Sequence, residues 1–197
     1  MRRYKAIAIL TLFALSACTA TAPKPAAYQL DENNKYLPVN MDIYAGEYVT
    51  PQMSNIVRYM QESFVGSNLF SDVSAGFKRW PLTIQLKYEI TRDFDALEFA
   101  GTMVSAATLL IVPAPMSEHH KLEANIYSGA QMIKSYKYDE KVGITMSLFH
   151  NPEEARKAGA RLLINKFFSD LAKDQVIPKI GEVKRGQNNP SQTDKEL

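Results

Sequence analysis

Apolar and polar positions alternate most cleanly between Leu82 and Thr91. Leu82, Ile84, Leu86, Tyr88 and Ile90 take turns with Thr83, Gln85, Lys87, Glu89 and Thr91. A period of two predicts a strand with one buried face and one wet face. Val39–Tyr44 repeats the pattern with Val39, Met41 and Ile43. Lys121–Tyr127 and Ala130–Tyr138 do so again, and Ser128-Gly129 between them is a tight-turn signal that predicts a hairpin. Val142, Ile144, Met146 and Leu148 either carry that last strand past a bend or add another, and Leu69–Ser74 is a shorter, weaker candidate.

Two stretches switch to helical spacing. After Thr50-Pro51, an N-cap followed by a first-turn proline, Met53, Ile56, Val57, Met60 and Phe64 recur on one face until Gly66. Asn151 and Pro152 open the second helix, with Glu153 and Glu154 at the positive end of its dipole. Ala160, Leu163, Ile164, Phe167, Phe168 and Leu171 form its apolar stripe, and Arg156, Lys157, Arg161, Asp170 and Lys173 are expected away from it, with Pro178 closing the element.

These elements predict an α+β fold: a two-layer sandwich in which a mainly antiparallel sheet of four to six strands carries two main helices on one face. The domain is expected over residues 37–180. Residues 18–36 are small, Pro-containing and polar, and read as a tether; residues 181–197 are polar and read as a disordered tail.

One segment fits neither period. Ala100–Pro115, within an insert over residues 96–115, contains no charge across sixteen residues. It falls short of the length needed to span a bilayer. Read as a helix, Phe99, Met103, Ala106 and Leu110 share one face, and Gly101, Ser105 and Thr108 form a small-residue face suited to close approach by another helix. Three readings stay open: a third core element over the sheet, a surface that dips into a membrane, or a docking surface for a protein partner.

The first residues change the picture most. Arg2, Arg3 and Lys5 precede an uncharged run from Ala6 to Leu15, and the run ends in Leu15-Ser16-Ala17-Cys18. A basic start and a short apolar stretch are the layout of a secretory signal peptide, residues 1–17. The last four residues resemble the lipobox of bacterial lipoproteins. That resemblance implies cleavage before Cys18, a diacylglyceryl thioether on its sulfur and acylation of the new amine. Position 19 is Thr and not Asp, which by enteric-type sorting implies the outer membrane, on its periplasmic face. The element order also resembles that of the lipoprotein family that plugs the lipopolysaccharide translocon. That family too has a lipidated N-terminus, an early helix, a strand meander and a helix starting near an Asn-Pro. The resemblance covers residues 39–175, and the apolar insert departs from it.

Composition then excludes rather than assigns. Removing residues 1–17 leaves 180 residues, enough for one core, with 20 basic against 21 acidic side chains. A near-neutral domain has no electrostatic footprint for nucleic acid. Cys18 is the single cysteine, so no internal disulfide forms.

Candidate chemistry is sparse. His119 and His120 are adjacent, so on a strand they point to opposite faces; Glu118 and His120 share a face but make only two ligands. They read as a surface loop entering the strand, and His150 as a turn residue before the helix cap. Asp93 and Asp95 stand where the Leu82 strand ends, with Glu98 on a connection, and read as a solvated terminus rather than an acid–base pair. Trp80 before Pro81 reads as packing at a strand entrance. No cofactor, metal or catalytic motif is present. The leading expectation is a non-enzymatic accessory lipoprotein of a cell-envelope assembly or transport system. It is held to the membrane through Cys18 and meets an envelope protein partner, with Ala100–Pro115 as the candidate surface. The alternative is a lipid- or small-molecule-binding periplasmic module, and a distant third is an envelope hydrolase using Asp93, Asp95 or His120.

Overall fold

The computed structural model describes residues 27–45, 51–76, 79–92, 96–109, 111–149 and 151–187. In chain order the elements are β1 (Val39–Ala45), α1 (Pro51–Gly66), β2 (Val73–Ala75), β3 (Leu82–Thr91), α2 (Ala96–Ala107), β4 (Ala114–Ser128), β5 (Gln131–Met146), α3 (Pro152–Asp174) and α4 (Ile180–Gln187). The strands form one sheet in the order β2-β1-β3-β4-β5. The fold is the expected α+β sandwich, but its sheet is mixed. β3–β4–β5 is an antiparallel meander, whereas β1 runs parallel to both β2 and β3. The cause is α1. A helix between two strands returns the chain to the end it started from, so the next strand must run parallel to the first.

Alternation decides the faces. Leu82, Ile84, Leu86 and Tyr88 of β3, Val39 and Met41 of β1, and Leu122, Ala124 and Ile126 of β4 are buried on one side. Against them lie Ile56, Met60 and Phe64 of α1 and Leu163, Ile164, Phe167 and Phe168 of α3. The two helices meet through their rings, with the Phe64 and Phe168 centroids 4.8 Å apart and near edge-on. Each such side chain contributes on the order of 1.5–3 kcal/mol by leaving water.

The hairpin turns at Gly129, whose φ of +58° favours glycine. β5 is continuous through residues 131–146, uniting the two stretches that left a bend or a further strand open. β4 begins at Ala114, so the last part of the insert is strand, and the Leu69–Ser74 candidate shrinks to Val73–Ala75. α3 starts as expected: Asn151 Oδ1 accepts from the Glu153 amide at 2.9 Å, and Pro152 follows.

Both expected boundaries move. From Tyr28 onward the chain lies on the domain: the Tyr28 amide donates to Ser67 O, and Tyr36 is buried between Phe70 and Lys179. The polar run between them folds on itself, with Asp31 Oδ1 accepting from the amides of Asn33 and Asn34. Residues 181–187, expected in the tail, belong to helix α4. Its start is tied to the N-terminal segment by bonds from the Ile180 amide to Lys35 O and from the Gly181 amide to Asn33 O. Sequence periodicity misses this clasp because Tyr36 and Ile177 are isolated buried residues outside any repeat.

Candidate functional site

Glu118 and His120 do not lie on a surface loop. Both are fully buried on the core face of β4. Arg156, expected away from the apolar stripe, is turned inward from α3 and closes on Glu118 with both prongs of its guanidinium: Nε to Oε2 at 2.8 Å and Nη2 to Oε1 at 2.7 Å. Arg92, just beyond the end of β3, adds a bond from Nε to Oε1 at 2.7 Å. Burial alone would raise the Glu118 pKa. Arg156, the neighbouring His120 and Arg92 more than reverse that, holding the carboxyl well below the usual carboxylate range.

Tyr88 sits beside this group with its hydroxyl 2.6 Å from His120 Nδ1. Burial, followed by the charge of Glu118, pushes the phenol far above its ordinary range, so it keeps its proton. His120 Nε2 lies 3.7 Å from Glu118 Oε2. That distance is beyond a hydrogen bond, and Nε2 has no such partner among the described residues. The helix presses directly on this ring: a Cβ at Gly159 would stand 2.4 Å from His120 Nδ1. The arrangement is a charged, hydrogen-bonded strut between sheet and helix, with Glu118, His120 and Tyr88 buried.

The other candidates separate. His119 faces away from His120 and lies 2.9 Å from Asp139. Glu98 belongs to α2, not to a connection, and accepts from the Ser117 hydroxyl. Trp80 stands at the entrance of β3, where its amide donates to Asn40 Oδ1 at 2.9 Å and its indole to Asp72 at 3.1 Å. Asn40, buried and unremarked in the sequence, also donates to the carbonyls of Trp80 and Leu82. Cys18, Asp93, Asp95 and His150 lie outside the described residues. Among the described residues no cluster of three or more His, Cys, Asp or Glu could hold a metal. On the wet face, a groove of about 310 Å³ is lined by Lys87, Glu89, Lys121, Glu123, Lys137 and Asp139. Its charges balance one another through pairs such as Lys87–Glu89 at 2.9 Å and Lys137–Glu123 at 3.8 Å.

The apolar insert takes the face of the sheet opposite α1 and α3. Core-facing positions on β4 are the even ones, and it is Pro115 and Ser117 that meet α2. The small-residue face works as a contact, but against a strand: Gly101 lies against Pro115, and Ser105 is buried. Its large apolar face is left in water. Phe99, Met103 and Val104 on α2 are exposed, as are Leu109, Ile111 and Val112 on the connection to β4. Ala114 pairs with Met146, so Leu148 and Phe149, also exposed, follow β5 at the same end of the sheet. Leu109 and Phe149 retain 76% and 78% of their accessible surface, far more than a core element would. No helix among the described residues is long and apolar enough to cross a membrane.

No family model matches the sequence, and no curated protein matches it. Solved structures do show similarity in shape. A homologue of a neuraminyllactose-binding hemagglutinin from Helicobacter pylori, so described, is 15% identical with a TM-score of 0.42, covering 76% of this chain and 91% of its own. The rare lipoprotein B of Shewanella oneidensis is 11% identical with a TM-score of 0.40, covering 70% of this chain and 96% of its own. A minor lipoprotein of Acinetobacter baumannii is 7% identical with a TM-score of 0.40, covering 73% and 98%. Likeness at this level extends none of their roles to this chain.

Proposed function

We propose that this chain is a lipoprotein anchored through Cys18 to the periplasmic face of the outer membrane, acting without catalysis as an accessory to a larger envelope assembly or transport system. The support begins with the lipobox Leu15-Ser16-Ala17-Cys18 behind a basic, apolar leader. The observation that carries the non-enzymatic part is the strut: Glu118, His120, Tyr88 and Arg156 are bound to one another, the first three out of reach of solvent. A hydrolase using His120 would need that ring exposed. Affinity capture from native membranes tests the reading. The acylated protein is expected to bring down an envelope complex that Cys18→Ala does not, and capture of nothing by either form would refute the accessory role.

A further inference from the structure

Among the described residues nothing covers the exposed apolar tip. Residues 188–197, which follow α4, read Asn-Asn-Pro-Ser-Gln-Thr-Asp-Lys-Glu-Leu, too polar to cover it. The N-terminal segment leaves the domain at the far end. Tyr28 is bonded beside the C-terminus of α1, level with the start of β1, whereas the tip stands past the start of β4. The fifteen residues of β4 separate the two ends by about 45 Å. The eight residues between Cys18 and Ala27 let the chain reach at most about 30 Å even fully extended.

The polar groups of the tip point to the occupant. A protein partner is met by a surface that offers hydrogen bonds; hydrocarbon requires that they all be satisfied internally. Along the tip the chain closes on itself. The Thr108 amide donates to Val104 O, the Leu109 amide to Ala106 O and the Ile111 amide to Thr108 O. The Val112 amide donates to Thr108 Oγ1, and the Ser105 hydroxyl donates to Val112 O at 2.7 Å. The Thr108 hydroxyl turns back to the carbonyls of Val104 and Ser105, and across the tip the Phe149 amide donates to Ser147 Oγ. No charge occurs from Phe99 to Ser117 or from Val142 to Phe149. Thus, among the described residues, two uncharged loops present large side chains outward while these polar groups bond within the loops.

We infer that this tip inserts into the acyl region of a phospholipid leaflet, a membrane contact separate from the N-terminal anchor and at the opposite end of the sheet. Both contacts reach one leaflet when the long axis of the sheet lies along the membrane. The insertion is shallow, because α2 holds only its outer face free and its inner face packs on β4.

Vesicle flotation tests this without the anchor. The chain from residue 18 onward with Cys18→Ser, which has no acyl chain, is expected to float with vesicles of phosphatidylethanolamine and phosphatidylglycerol. Leu109→Asp and Phe149→Asp should each weaken that binding about tenfold or more, since burying one such side chain is a one- to two-decade effect. Val65→Asp, an exposed apolar residue on α1 away from the tip, should change nothing. All three sites are exposed, so the melting temperature stays put and loss of binding is not loss of fold. A parent chain that does not float, or tip variants that float as well as the parent, overturns the proposal. So does a photo-crosslinker at position 109 that gives one discrete protein adduct in cells and no lipid adduct. None of these outcomes depends on whether Cys18 carries lipid, so this proposal and the anchoring one fail separately.

Discussion

Glu118 is the residue on which most of the buried chemistry converges, and its neighbours predict what its loss does. Glu118→Gln keeps the shape but leaves the guanidiniums of Arg156 and Arg92 facing a neutral amide. Leaving an inward-facing charge without its partner costs about 3 kcal/mol, read by denaturant unfolding. The pH dependence has a definite sign. The folded-state pKa of Glu118 is lowered, so its contribution is fully present above the ordinary carboxylate range. It is lost as pH falls through the lowered folded value. The parent melting temperature should therefore drop more steeply below about pH 4 than that of Glu118→Gln. Gly159→Ala acts on the same strut by collision. Alanine favours helix by about 1 kcal/mol, yet its methyl would meet the His120 ring at 2.4 Å. A net loss of about 1–3 kcal/mol is expected. His120→Ala in the same chain should make the two effects non-additive in a double-mutant cycle. The strut was only half legible in the sequence. Glu118 and His120 are two apart on a strand, so their shared face is visible. Arg156 lies 38 residues from Glu118, and a cation among Glu154, Ala155 and Lys157 looks like any solvated helix position until a partner is placed opposite it.

At the scale of elements, legibility followed the clarity of the face. β3 was readable because its outer side chains are all polar and its inner ones all apolar, and α3 because its start carries a cap, a proline and two acids in order. Asn151→Ala should cost about 1 kcal/mol, measured by thermal or denaturant unfolding, because the Glu153 amide loses its acceptor. The direction of β1 was not readable. Parallel or antiparallel pairing depends on which strand it joins, and that is settled by where α1 carries the chain, not by the pattern within β1. The insert was legible as apolar and as having a small-residue face. What its composition lacks is any sign of the sheet face it would choose. That choice rests on Gly101 against Pro115 and the bond between Ser117 and Glu98, contacts made across the chain.

For the whole molecule, the arrangement of its two ends matters most. At one end, the segment from Tyr28 to Tyr36 and the start of α4 clasp each other, so the domain begins nine residues earlier than its hydrophobic pattern indicates. Tyr36→Ala should therefore cost about 3–5 kcal/mol, the range for emptying an aromatic site in a core, and would be read as a lower unfolding midpoint. Were the segment a free tether, the substitution would be silent. At the other end stands the apolar tip. A domain held through Cys18 at one pole and by lipid at the other would be oriented on the membrane, with the charged wet face of β4 and β5 beside the insert. Palmitate labelling in cells followed by membrane fractionation tests the Cys18 anchor. Label is expected on the parent chain in the outer-membrane fraction, with none on Cys18→Ala. An unlabelled parent, or equal label on both, would contradict it.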